Sequence, residues 1–308
     1  MIDEDYNVLG DARKTYKPES GGIHPRDASQ YMAAQIRPAL DECLDEAGVG
    51  IKEVDLVSFS QGPGLGGCLR MVATAARALS LHHSIPLIGV NHCIAHIEVG
   101  RILSGFDNPL VVYVSGANTQ VIMRGHGRYR VFGETLDIGL GNMLDKFGRK
   151  TGLSHPAGPR IEKLAQKGGE YIELPYTVKG TDLSFSGVLT SALQKHEKGE
   201  RLEDVCFSLQ ETVYAMLTEV SERALAHLKA ENVLLTGGVG NNKRLQEMLK
   251  IMALDHDAGF SFPKGFMGDN GVMIAMLGLS MHKKGRETPI SDSGIDSKQR
   301  TDSIKVDW

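Results

Sequence analysis

Two segments far apart in the chain repeat one order of parts. VDLVSFSQGPGLGGCLRM, from Val54, and NVLLTGGVGNNKRLQEM, from Asn232, both read as buried strand, glycine-rich loop and amphipathic helix. Helix-opening loops, GVNHCIAH and MGDNGVMIA, follow each at a similar distance. The repeat is one of structure type rather than of identity. Strands alternating with helices restrict the chain to an α/β fold. The repetition predicts two related lobes around a cleft, and the chain of 308 residues is long enough to give each a core.

Composition narrows the partners. With 41% hydrophobic and 23% charged residues the chain is an ordinary globular one. It has no run of eighteen or more apolar residues to span a membrane. The start, MIDEDYNVLGD, is acidic and unlike a signal peptide. Cys43, Cys68, Cys93 and Cys206 form no CxxC pair, which predicts a reducing, cytoplasmic home. A net charge of -4 argues against binding nucleic acid through bulk electrostatics, so a local basic patch or a basic partner would have to supply it.

Along the chain, DYNVLGDARKTYK reads as the tail of one strand and part of another. GGIHPRDA opens a helix that runs to about Ala47 and stops at Gly48 and Gly50. A strand at 54–60, a loop at 60–67, a helix, a strand at 86–90 and the histidine-bearing helix follow. After Pro109, three antiparallel strands are expected, with turns at SGAN and GHG. Helices are expected near Gly141, after Pro159 and over 202–230. A strand, glycine loop and helix should fill 232–252, and a last helix should begin near Asp269. Residues 286–300 read as loop.

His92 and His96 lie four apart and so share one helix face, where both imidazoles can reach one ion. The plainer interpretation is a satisfied pair near a helix start that Asn91 caps. Cys93 follows His92, so the glutamate base of HExxH metalloproteases is absent. A third ligand would be a carboxylate, for which Asp269 is the candidate, reaching across from the second lobe; its plain alternative is a helix N-cap. The SGAN tip could cradle a phosphate, and TGGVGNN, between strand and helix, could face a nucleotide. SQGPGLGG lacks the GK[ST] ending of a Walker A loop. Asp137, Asp145 and Glu162 could accept ribose hydroxyls, or be solvated helix charges. Ser184 and Ser186 have no adjacent base, and no nucleophilic triad is readable.

Taken in order, NHCIAH, YVSGANTQV, FGETLDIGLGN, KGTDLSFSG, SLQET, GGVGNNKRL and GDNGVMIA resemble the TsaD/Kae/Qri family, and more narrowly its archaeal and eukaryotic KEOPS-complex branch. The resemblance runs from about residue 18 to the C-terminus. It implies an ASKHA (actin-like ATPase) fold of two RNase H-like lobes around a nucleotide cleft. These would be 1–109, and 110–308 with a helical insertion and a C-terminal return segment. It implies transfer of the threonylcarbamoyl group from threonylcarbamoyl-AMP to the exocyclic amine of adenosine 37, in tRNAs reading codons that begin with A. By matching positions it implies one divalent metal, iron or zinc, on His92, His96 and Asp269. Tyr113, Val114, Ser115, Gly116 and Ala117 would meet the phosphate and acyl part of the ligand. Asp145, Gly158, Glu162 and Asn242 would hold the adenosine. Implied partners are tRNA and the KEOPS subunits, including a small protein kinase expected on a separate chain.

Three departures from the family pattern follow. An opening strand and acidic glycine loop of roughly fifteen to twenty residues are expected but not seen. SGA replaces SGG at 115–117, which costs about 1 kcal/mol if position 117 needs a positive φ. PAGP replaces PGGP at 156–159, so Ala157 is expected to narrow the nucleotide pocket. Competing readings are an ATP-hydrolysing or sugar-kinase-like member of the same fold and a non-catalytic scaffold of the complex.

Overall fold

The computed structural model describes residues 1–18 and 23–308. The glycines at 21 and 22, expected to lead into the first helix, lie outside them. The first elements are α1 (Pro25–Ala47), β1 (Val57–Gly62), α2 (Gly66–His83), β2 (Leu87–Asn91), α3 (His92–Ser104), β3 (Leu110–Val114), β4 (Thr119–Gly125) and β5 (Arg128–Glu134). Then come α4 (Leu140–Lys150), α5 (Gly158–Ala165), β6 (Val178–Lys179), β7 (Asp182–Leu183), α6 (Ser186–Glu197), α7 (Leu202–Leu228), β8 (Asn232–Thr236), α8 (Lys243–Asp255), β9 (Gly259–Ser261) and α9 (Gly271–His282).

The chain forms two compact units. The first holds Met1–Val99, His126–Tyr129 and Asp269–Trp308; the second holds Gly100–Gly125 and Arg130–Gly268. This differs from halves divided at 109/110: the C-terminal segment from Asp269 packs with the first unit. The reason is α9, which lies on β1 and β2. Its Gly278 comes so close that an added Cβ would sit 1.9 Å from Ser58 Oγ, so only glycine permits the contact.

In the first unit β1 and β2 pair in parallel, from Val57 opposite Leu87 to Ser60 opposite Val90, and β2 is buried throughout. A strand buried on both faces reads as an unbroken apolar run, as PLIGV does. Pro25 begins α1, and Gly48, in the left-handed conformation at φ 68°, ends it by donating to the Asp45 and Leu44 carbonyls. The strands expected before α1 do not form. One bridge joins Ile2 and Val8, while the Asp3 carboxylate accepts the N–H groups of Asp5 and Asn7. An aspartate that bonds its own neighbours favours a turn over a ladder.

The second unit is built on a five-stranded sheet in the order β5-β4-β3-β8-β9. β3 runs antiparallel to β4 and parallel to β8, and β8 is parallel to β9. Its core joins Val112 and Leu235 of the sheet to Leu144 and Phe147 of α4 and Leu209 and Met216 of α7. β6, β7, β9 and α6 were not expected from the sequence. The strands have only two or three residues each, too short to show a period. The start of α6 is held from elsewhere in the chain, by Asp137.

Candidate functional site

Asn91 ends β2, and its Oδ1 accepts the Ile94 N–H at 3.0 Å, which caps the turn carrying the histidines. His96 is fully buried; His92 is half-buried. Asn270, at the start of α9, accepts the Met273 N–H and is the cap there. The capping role is thus filled, and the Asp269 carboxylate is directed at the two rings. Its Oδ1 lies 3.3 Å from His92 Nε2 and 3.0 Å from His96 Nε2. All three residues belong to the first unit, so the expectation that Asp269 reaches across from a second lobe is corrected: packing of α9 on β1 and β2 brings it beside the histidines.

The three ligand atoms lie within 4.8 Å of one another. Donors about 2.0–2.2 Å from one ion, at right to tetrahedral angles, are roughly 2.8–3.6 Å apart. The two His–Asp separations fall in that range, and two nitrogens with one carboxylate oxygen suit a first-row transition metal. Burial lowers the His96 imidazole below its ordinary pKa, although its hydrogen bond to Asp269 opposes this. The neutral imidazole, the form that binds metal, is therefore favoured. Partial desolvation against the rings raises the Asp269 carboxyl, but hydrogen bonds from His92 and His96 outweigh it and hold the group well below the usual carboxylate range. The Asp269 side chain remains 78% exposed, so solvent screens the pairing and little folding stability follows from it.

A second cluster lies in the second unit. Tyr113 and Val114 are buried at the end of β3. The Ser115–Asn118 turn closes with Ser115 N–H donating to the Asn118 carbonyl, and it abuts α4, where Gly141 and Asn142 donate to the Ser115 and Gly116 carbonyls. An added Cβ on Gly139 would meet the Ala117 carbonyl oxygen at 2.3 Å. Further along α4, Asp145 accepts the Ala157 N–H at 2.8 Å on Oδ1, and Oδ2 lies 3.3 Å from His155 Nδ1. Gly158 begins α5, and Glu162 one turn on accepts the Lys243 N–H at 2.9 Å. Asn242, the neighbour of Lys243, caps α8 through Leu245 and donates to Gln210. Asp145 thus meets the start of α5, which carries Gly158 and Glu162, and Glu162 meets the start of α8 beside Asn242.

Three expectations change. Ala117 has no positive φ, so its methyl carries no such strain. Ala157 is buried and its methyl points at Gly148 of α4, where an added Cβ would lie 2.3 Å away; it fills a helix contact instead of narrowing a pocket. Asp137 accepts the N–H groups of Ile138, Phe185 and Ser186, so it caps α6 and is not placed as a ribose acceptor. Partial burial raises its carboxyl, and these backbone donors outweigh that and lower it. Sequence reasoning missed the Asp145–His155 pair; HP at 155–156, close after a helix, was its only signal. No helix among the described residues is long and apolar enough to cross a membrane.

The fold is an α/β one shared with two sets of solved structures. HypF of T. kodakarensis superposes with a TM-score of 0.64 at 15% identity, over 83% of this chain and 43% of that one. Component A of the Acidaminococcus fermentans (R)-2-hydroxyglutaryl-CoA dehydratase superposes at 0.56 and 12%, over 92% of each. The family described as TsaD, tRNA N6-adenosine threonylcarbamoyltransferase, matches residues 7–276, and the chain belongs to that family. The probable bifunctional tRNA threonylcarbamoyladenosine biosynthesis protein of Methanobrevibacter smithii is 55% identical over 309 aligned positions, which cover all of this chain and 57% of that protein. The tRNA N6-adenosine threonylcarbamoyltransferase of Archaeoglobus fulgidus is 53% identical, over all of this chain and 95% of that one. The chain therefore spans little more than half the length of the bifunctional relatives it matches.

Proposed function

We propose that this chain transfers the threonylcarbamoyl group of threonylcarbamoyl-AMP to the exocyclic amine of adenosine 37 in tRNAs that read codons beginning with A. The reading includes an ASKHA architecture, a cytoplasmic setting and work within a KEOPS assembly with a small protein kinase. The observation that carries it is the meeting of His92, His96 and Asp269 around one oxygen, in a chain of this family. Those residues would hold one divalent ion, iron or zinc, which when bound supplies Lewis acidity.

The protein's own share is positioning. Threonylcarbamoyl-AMP is a mixed anhydride, so no enzyme nucleophile is needed. The adenine nitrogen forms a bond to the carbamoyl carbon, the carbon–oxygen bond to phosphate breaks, AMP leaves with the electron pair, and the amine loses a proton. The turn from Tyr113 through Val114, Ser115 and Gly116 to Ala117 sets the acyl phosphate. Asp145, Gly158, Glu162 and Asn242 set the adenosine, which converts a bimolecular encounter into an oriented one. Glu162 has one carboxylate oxygen on Lys243, which orients the other for a ribose hydroxyl. The test is a transfer assay with the partner subunits, the adenylate, metal and an unmodified transcript of such a tRNA. Modified adenosine is expected, with at least about a hundredfold loss in His96→Ala; no product from the unaltered chain overturns the reading.

A further inference from the structure

We propose that the exposed faces of α4 and α5 form a docking surface for the phosphodiester backbone of the RNA substrate; this deepens the preceding reading and rests on it. Lys146, Arg149 and Lys150 line the outer face of α4, whose inner face is Leu140, Met143, Leu144 and Phe147. Arg160 and Lys163 stand on α5, and Lys167 one turn beyond. All six are exposed. The helices pack together at Gly148 and Ala157, so both basic faces flank one short loop, and Arg160 reaches back across it to donate to the Ser154 carbonyl at 3.0 Å.

The charge there is uncompensated. Residues 145–167 carry six Lys/Arg against two Asp/Glu, a net +4, while the rest of the chain carries 28 against 36, a net -8. The two acids are already engaged: Asp145 by Ala157 and His155, Glu162 by Lys243. No ion pair holds any of the six cations among the described residues. Elsewhere in the same unit Arg124, Arg201, Arg223 and Arg244 each lie against a carboxylate. A like-charged surface of this kind repels itself unless an anion covers it. Lys146 and Lys163 directly follow Asp145 and Glu162, the residues proposed to hold adenosine. That adenosine belongs to the adenylate donor, and the acceptor that must approach a donor bound beside these cations is an RNA whose phosphates can lie on them, which favours RNA over an acidic protein as the occupant. The surface also answers the chain's overall acidity, since backbone contacts need local rather than net positive charge.

The test compares the unaltered chain, Lys146→Gln/Arg149→Gln/Lys163→Gln, and a control set, Lys198→Gln/Lys229→Gln/Lys250→Gln, for binding to an unmodified tRNA transcript over a salt series. A charge-keeping set, Lys146→Arg/Arg149→Lys/Lys163→Arg, separates charge from shape. The first set is expected to weaken binding about tenfold or more near 0.1 M salt, and to shrink the log–log salt slope by about 2–3, at roughly 0.7–0.9 per phosphate contact. The control and charge-keeping sets should remain within about twofold of the unaltered chain. Equal affinity and slope in the first set, or equal losses in first and control sets, overturns the surface. So does loss of an acidic protein partner with RNA binding intact. The two readings fail separately. Product formation with an unchanged KM for tRNA in the first set defeats the surface and leaves the transfer reaction standing. A surface-dependent salt slope without product does the reverse.

Discussion

Asp269 and Asn270 are adjacent and have nearly the same reach, yet they do different work. Asn270 accepts the Met273 N–H, and Asp269 meets two imidazoles. The division commits the amide to the helix and leaves the carboxylate with the two histidines. Asp269→Asn keeps the size and removes the charge. It should lower iron or zinc affinity by more than the roughly 10–100-fold typical of an outer-shell change, with the fold intact; isothermal titration and metal analysis check it. Acidity should act in the same sense. Protons compete with the ion for the His96 imidazole, so metal affinity is expected to hold at neutral pH and fall in acid. Because burial lowers His96, its own share is lost later on the way down than that of an ordinary histidine. For the apo protein, a histidine lowered on folding stabilises above its unfolded pKa and loses that contribution as pH falls. Metal titrations at several pH values read the first effect directly.

At the scale of elements, helix contacts and caps explain why some residues are as they are. Gly148 and Ala157 meet where α4 crosses α5, so Gly148→Ala would force two methyl groups into one space. An overpacking cost of about 1–3 kcal/mol is expected, read by urea denaturation. Ala157→Gly in the same background should recover part of that loss, because it removes the opposing methyl. Asp137→Ala should cost about 1–2 kcal/mol, since it strips the N–H acceptor from the start of α6. That cost would come from a residue distant in sequence from the helix it caps. The chemistry of a cap was readable, but its address was not: any of several carboxylates could have supplied it.

For the whole molecule, the candidate metal ligands fall in one compact unit and the candidate adenosine-holding residues in the other. Ligands should therefore protect different parts of the chain. Zinc or iron alone should slow amide exchange around β2, α3 and the start of α9. An adenylate alone should slow it around 113–117, α4, α5 and the start of α8. At a free concentration of about 100 times Kd, either should add about 2.7 kcal/mol to the stability of what it binds. Hydrogen exchange followed by mass spectrometry tests this; protection spread evenly over both units by metal alone would contradict it.

Much of the local structure could be read directly. The 3.6-residue period places His92 and His96 on one face whatever else the chain does, and the apolar runs of β2, β3 and β8 announce buried strands. Pro25 and Gly48 mark the ends of α1 because their backbone preferences act at once on their neighbours. Short elements such as β6 and β7 gave no period to read. What only tertiary packing decided is which distant groups meet. Asp269 joins His96 across 173 residues because α9 lies on β1 and β2. The methyl of Ala157 meets Gly148, and Asp137 caps a helix that begins at Ser186. Backbone geometry acts within a few residues, so it is written into every short stretch. Contacts between remote side chains depend on how whole elements pack, and no short stretch carries that information.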